Sequence, residues 1–235
     1  MCRLLAWKSR QPEQDVAALA DSLRALRGLA ATGRVPNGIP AGHRDGWGIA
    51  AFRDGAAVIY VRSAKPADED PLFEATVAAC AAAAPDAVIA HLRKASAGAK
   101  DAGNAQPFLG DNAAFAHNGS MGGRGGCDGP SDSLRFFREA VSRGGDIFEA
   151  VEALKNETRQ GEYRAMNFLL TDGKKIRVWR DWNEMTPDAE ALGLEGYYGL
   201  FRAQAASFSL VSSEPLALPN LTFELIQNGA SVDLS

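Results

Sequence analysis

Two Asp-Gly dipeptides constrain this chain more than any other feature. Asp54-Gly55 separates the runs Trp47 to Arg53 and Ala56 to Arg62, and Asp172-Gly173 separates Met166 to Thr171 from Lys175 to Trp179. Asp-Gly readily adopts the left-handed backbone of a two-residue turn, so each pair of runs reads as an antiparallel hairpin. Further strands are expected at Cys2 to Lys8, Ala87 to Leu92, Ala113 to His117, Tyr197 to Arg202, Ser207 to Val211 and Leu221 to Ile226. Helical spacing of apolar residues predicts helices at Glu13 to Arg27, with Val16, Leu19, Leu23 and Leu26 on one face, and at Pro71 to Ala83, with Leu72, Phe73, Val77 and Cys80 buried. A third, capped by Ser131 or Asp132, runs to about Arg143 with Leu134, Phe137 and Val141 inward, and a fourth spans Asp146 to Glu157. Helices in two groups, with strands toward both ends of the chain, suggest stacked sheets with helices outside.

At 46% apolar residues over 235 positions, the chain can bury a substantial core, and an ordered domain is expected. A net charge of -4 with scattered Lys and Arg argues against nucleic acid and against anionic membrane surfaces as partners. No signal peptide and no membrane-length apolar run is recognisable, so a soluble, cytoplasmic α/β protein is expected. Cys2, Cys80 and Cys127 are widely spaced and form no C-x-x-C pair, which is a poor basis for disulfides or zinc. Cys80 reads as a small buried hydrophobe. Cys127 reads as an incidental thiol in the glycine-rich stretch Gly122 to Gly129, a segment expected to be mobile or tightly turned. His91 and His117 lack metal-ligand spacing and read as structural, so no metal and no cofactor is expected. Neither a P-loop nor G-x-G-x-x-G occurs.

Cys2 follows the initiator Met1 and is small enough to permit its removal. A Cys freed in this way carries a thiol nucleophile and an α-amine with a reference pKa of about 7.7–8.0, which can serve as base without a histidine. Alone, Cys2 is only an arbitrary second residue. It gains weight from four stretches that follow in order: Arg44-Asp45-Gly46-Trp47-Gly48, His91-Leu92-Arg93-Lys94-Ala95-Ser96, Ala116-His117-Asn118-Gly119 and Ser131-Asp132-Ser133. With Met1-Cys2 they resemble class II glutamine amidotransferases, the N-terminal-nucleophile hydrolases, from Met1 to about Arg143. A weaker likeness continues through Met166 to Gly173 and Ser212 to Leu216, in the pattern of the small stand-alone members.

That resemblance implies an α+β fold, a four-layer αββα sandwich of two mainly antiparallel sheets, with residues 1–235 as one domain. It implies that Cys2 attacks the side-chain amide carbon of glutamine, forming a thioester, while Asn118 and Gly119 bind the oxyanion. It also implies that Arg93 and Ser96 meet the substrate α-carboxylate and that Asp132 meets the α-ammonium. Read without the family, Asn118-Gly119 is a tight turn, Arg93 a surface arginine, Asp132 a helix cap and Trp47 a core residue. The loop from Lys94 to Gly103 would close over glutamine. Asn104-Ala105-Gln106-Pro107 departs from the family's N-x-H-P in having Gln106, which cannot become cationic, and Leu134 stands where an acid is frequent. With the whole chain needed for the sandwich, ammonia is expected to be released or passed to a separate synthase. The alternatives are removal of glutamate from a larger γ-glutamyl conjugate and a silent glutamine-binding module; a homo-oligomer is compatible with all three.

Overall fold

A computed structural model of the chain describes residues 2–110, 112–122 and 128–234. In chain order the elements are β1 (Cys2–Ser9), α1 (Val16–Thr32), β2 (Trp47–Arg53), β3 (Ala56–Ser63), α2 (Pro71–Ala83), β4 (Ala87–Arg93), β5 (Phe108–Gly110) and β6 (Ala113–Met121). They continue with α3 (Asp132–Ser142), α4 (Ile147–Glu157), β7 (Tyr163–Thr171), β8 (Ile176–Trp179), α5 (Leu194–Tyr197), β9 (Phe201–Gln204), β10 (Phe208–Ser212), β11 (Glu224–Leu225) and β12 (Ser231–Leu234). The strands form a seven-stranded sheet in the order β11-β9-β10-β1-β4-β2-β3 and a five-stranded sheet in the order β12-β8-β7-β6-β5, with antiparallel pairing throughout.

Side-chain alternation builds the layers. Along β1, Leu5 and Trp7 face a core shared with Leu19, Leu23 and Leu26 of α1 and Phe73 and Val77 of α2. Leu4 and Ala6 point the other way, into a core closed by Ala114, Ala116 and Leu169 of the second sheet. Beyond that sheet, Phe115, Phe168 and Leu170 pack on Phe136 and Phe137 of α3 and Val151 and Leu154 of α4. The result is the four-layer αββα sandwich. Both Asp-Gly hairpins form: Asp54 and Gly55 have φ of 52° and 81°, and Gly173 has φ of 83°. No helix among the described residues is long and apolar enough to cross a membrane.

Several local expectations change. Asn118-Gly119 is no turn but lies inside β6, paired with Asn167 and Met166 of β7. Tyr197 ends α5 instead of opening a strand, because its ring packs on Arg3 and Tyr198. That is tertiary packing overriding the local preference of an aromatic for extended backbone. Of Leu221 to Ile226 only Glu224–Leu225 pairs, while β5 and β12 form from polar or very short segments with no clear period. The buried face of α3 runs through Ser133, Phe136, Phe137 and Ala140, with Leu134 and Val141 only half-buried. Leu72 is exposed, leaving Phe73, Thr76, Val77 and Cys80 as the inner face of α2. Residues 123–127, which include Cys127 and most of the glycine-rich stretch, lie outside the described residues.

Asp70 ties the start of α2 to β2 and β3. It accepts from Leu72 N (3.1 Å), Ser63 Oγ (2.6 Å) and the Trp47 indole N–H (3.2 Å). Burial alone would raise its carboxyl, but these three donors hold it below the ordinary value. Asp70→Ala should cost about 2–3 kcal/mol in urea unfolding, through a lost cap and an orphaned indole donor. The carboxylate's own contribution should be present above its unfolded pKa and disappear as pH falls through its lower folded value.

Candidate active site

Two neighbouring strands set the sulfur. In the β1–β4 ladder Cys2 lies opposite Arg93, and Leu4 opposite His91. On the other side of β1, Leu4 N donates to Ser213 Oγ (2.9 Å) and Leu4 O accepts from Ser213 N (3.0 Å). Cys2 is therefore held at the end of an interior strand and is buried.

The second sheet contributes the consecutive residues of β6. Cys2 N donates to Asn118 Oδ1 across the gap between the sheets, at 2.7 Å. Tyr197 Oη donates to the same oxygen at 3.4 Å. With Oδ1 accepting twice, Asn118 Nδ2 is fixed as the other end of the amide, and it is buried with no hydrogen-bond partner among the described residues. Gly119 follows where a side chain cannot fit: a Cβ there would lie 1.9 Å from Ala165 O and 2.5 Å from His117 Nε2. His117 Nε2 sits 3.0 Å from Ala165 O, an acceptor, so the ring hydrogen is on Nε2. Its Nδ1 lies 2.8 Å from Ser133 Oγ, which is also 3.2 Å from Asp132 Oδ1. Burial outweighs the pull of Asp132 and brings the His117 imidazole down to about 4.

Asp132 and Ser131 divide the work at the start of α3. Ser131 is the N-cap, its Oγ accepting from Leu134 N at 3.3 Å. Asp132, one residue on, accepts from Met121 N (2.8 Å) and Ser133 N (2.8 Å), which ties the helix to the end of β6. The segment after β4 is pinned from both sides. The Arg93 guanidinium donates to Ala97 O (3.0 Å), Gly98 O (3.4 Å) and Ala99 O (2.8 Å). Asp45 accepts from Ala95 N (2.9 Å) and pairs with Lys100 (2.7 Å). Gln106 is buried, and its Oε1 accepts from His117 N at 2.6 Å. Its carbonyl lies 2.5 Å from where a Cβ on residue 48 would stand, the reason for Gly48 after Trp47.

Electrostatics separate the two described thiols. Burial alone would raise Cys2, but the positive chain terminus and His91, with the Lys94 backbone, bring it down to about 5. Burial pushes Cys80 up to about 12, as expected for a structural thiol. The cavity over Cys2 measures only about 20 Å³ and is walled by Arg93, Ala95 to Ala97, Gln106, His117, Gly119 and Ser131 to Ser133. That is room for little more than a water. A wider groove of about 580 Å³, floored by Phe108, Leu134 and Phe137, contains none of these candidate residues.

The fold thus brings Cys2, Arg93, Ser96, Gly119 and Asp132 to one cavity, with Asn118 bonded to Cys2 beside it. Ser96 is exposed on the outer wall. Sequence reading missed three contributors. Tyr197 is 79 residues from Asn118 and has no local signal. Asp45 was visible in Asp45-Gly46-Trp47-Gly48 but carried no role. Ser133 stood only as the residue after Asp132.

Comparison with known proteins fits this geometry. The family model described as glutamine amidotransferases class-II matches residues 1–129. An uncharacterized protein of Methanocaldococcus jannaschii is 30% identical over 164 residues, which is 60% of this chain and 43% of that protein. Among solved structures, a glutamine aminotransferase class-II domain protein from Silicibacter pomeroyi aligns over 99% of this chain and 94% of its own, with a TM-score of 0.59 at 16% identity. The glutamine phosphoribosylpyrophosphate amidotransferase of Bacillus subtilis aligns over 99% of this chain but 47% of its own, with a TM-score of 0.62 at 15% identity. These two likenesses establish the fold.

The packing at Gly119 yields a paired prediction. Gly119→Ala should destabilise by about 3 kcal/mol, since backbone on the neighbouring strand must give way. Gly28→Ala, inside α1 with nothing within 4 Å of the new Cβ, should instead stabilise by up to about 1 kcal/mol. Urea midpoints of the two variants against the parent chain test both signs.

Proposed function

The chain belongs to the class-II glutamine amidotransferases, and from that premise we propose that it hydrolyses the side-chain amide of glutamine through a thioester on Cys2. The observation that carries this reading is the bond from Cys2 N to Asn118 Oδ1, which leaves Asn118 Nδ2 buried with no hydrogen-bond partner among the described residues. Removal of Met1 would turn that backbone nitrogen into the α-amine without moving it. The amine then stays on Asn118 while its lone pair is available to the thiol or to water.

Attack of the sulfur on the amide carbon creates an oxyanion. Asn118 Nδ2 is a free donor for it, and the N–H of Gly119 lies next in the chain. Collapse expels the amide nitrogen, which takes one proton and leaves as ammonia. Water then cleaves the thioester, releasing glutamate and restoring the thiolate. Three guanidinium contacts of Arg93 go to loop carbonyls, which leaves further N–H donors of its five for a substrate α-carboxylate, with Ser96 on the same wall. Asp132, on the same cavity, would meet the α-ammonium. Ammonia is released or passed on to a synthase.

Glutamine and γ-glutamyl conjugates should be offered to Met-free protein in parallel, with glutamate as the readout. Cys2→Ala should abolish turnover, and Asn118→Ala should lower kcat about 10²–10³-fold with a smaller effect on KM. A glutamine-like electrophile should add one adduct by intact mass, absent in Cys2→Ala. Turnover that survives Cys2→Ala, or failure on every γ-glutamyl amide, would overturn the reading.

A further inference from the structure

The ladder between β5 and β6 stops short of the candidate site. Phe108 lies opposite Phe115, Leu109 opposite Ala114 and Gly110 opposite Ala113. Continued at that register, Gln106 would stand opposite His117, and Asn104 opposite Gly119. The chain leaves the ladder instead. The Gln106 carbonyl lies 2.5 Å from where a Cβ on Gly48 would stand, so the backbone at 106 approaches β2. Asn104 is drawn to the start of α3, where its Oδ1 accepts from Ser131 N (2.7 Å) and its Nδ2 donates to Gly129 O (3.0 Å).

One of these two rungs is nevertheless closed. His117 N donates to the side-chain Oε1 of Gln106 at 2.6 Å, so a side-chain oxygen takes the place of a strand carbonyl. Both residues are buried, and without that oxygen a backbone donor would be left unsatisfied. The other rung is open. Gly119 lies opposite Met166 of β7, but Met166 N donates to Asp181 O (2.7 Å) on the far side of its strand. Gly119 and Met166 are therefore a non-hydrogen-bonded pair, and the N–H groups of His117 and Gly119 both point away from β7. Gln106 meets the first of them. None of the hydrogen bonds among the described residues takes up the second, and Gly119 and Gln106 line the same cavity over Cys2.

We propose that Gln106 is a positioning residue for the Asn118-Gly119 pair: its side-chain oxygen closes the last rung of β6 before an N–H left open for substrate. This rests on Asn118 and Gly119 binding the oxyanion formed by amide attack. The closed and open rungs are neighbours on one strand edge, with Asn118 between them, so looseness at His117 passes directly to both oxyanion donors. A strand continuing through 106 would bring the backbone of 104 to Gly119 and consume the donor. A side-chain acceptor stops the pairing one rung earlier. The task requires an oxygen that accepts and carries no charge, because negative charge is about to develop in the same small cavity. A glutamine amide meets both conditions, and no proton passes through it.

The test is hydrolysis of the γ-glutamyl amide that the Met-free parent turns over, with kcat expressed per Cys2 labelled by a glutamine-like electrophile and counted by intact mass. Gln106→Leu should lower kcat about 10–100-fold with less than about a threefold change in KM. In an Asn118→Ala background the same substitution should lower kcat distinctly less, because the two residues act on one oxyanion. A kcat within about twofold of the parent, or an equal loss in both backgrounds, overturns the positioning role and leaves the Cys2 chemistry in place. A parent that turns over no γ-glutamyl amide overturns the functional reading, and this role with it. Should Gln106→Leu fail to fold, amide exchange in the parent decides. His117 should be protected and Gly119 should exchange at least about tenfold faster, whereas equal protection of the two overturns the open rung.

Discussion

A hydrogen bond between the sheets, Cys2 N to Asn118 Oδ1 at 2.7 Å, joins the two halves of the candidate site. It joins β1 to β6 across 116 residues of chain and across the interior of the sandwich. It fixes Cys2 through the backbone of its own residue and, with Oδ1 accepting, leaves Asn118 Nδ2 as the unpartnered end of the amide. Neither strand could make this contact on its own. Each needs its own sheet to place it. The apolar core of Leu4, Ala6, Ala114, Ala116 and Leu169 keeps the sheets at the separation this bond requires.

Much of the support comes from the part of the chain beyond residue 129, where the family match ends. Arg3 is wholly buried, pairs with Glu214 at 3.0 Å and lies over the Tyr197 ring at 4.5 Å. Tyr197 in turn reaches Asn118. A buried ion pair is weak evidence for stability, since desolvation consumes most of the attraction. Its effect here is positional: one arginine, adjacent to Cys2, ties α5 and the segment after β10 to the candidate nucleophile. Asn167, Ser213 and Arg180 extend the same pattern, each holding backbone near the site from residues past 160.

The fold was legible in the sequence where local chemistry and global placement agree. Asp54-Gly55 and Asp172-Gly173 can do little except turn, and the Asp70-Pro71 start of α2 is a cap followed by a helix-compatible proline. The family's ordered motifs brought Cys2, Arg93, Gly119 and Asp132 to one cavity although no periodicity linked them. What remained hidden depends on distant packing. Asn118-Gly119 has the composition of a turn, yet lies within a strand because β7 pairs with it. Tyr197 has the propensity of a strand residue, yet ends a short helix because Arg3 and Tyr198 hold its ring. Gln106 read only as a departure from the family's segment, and the strand register alone shows it in line with His117.

The location of β1 bears on how this protein loses order. Flanked by β4 and β10 in the middle of seven strands, with Leu4 to Trp7 wholly buried, β1 has no route to fraying on its own. Its amide protons can exchange with solvent only through openings that dismantle the sheet, so the residue carrying the thiol belongs to the most slowly opening unit of the fold. The wall over the cavity is held differently, by the Arg93 guanidinium on the carbonyls of residues 97–99 and by the Asp45–Lys100 ion pair. Loss of the sulfur's position therefore requires loss of the sheet itself.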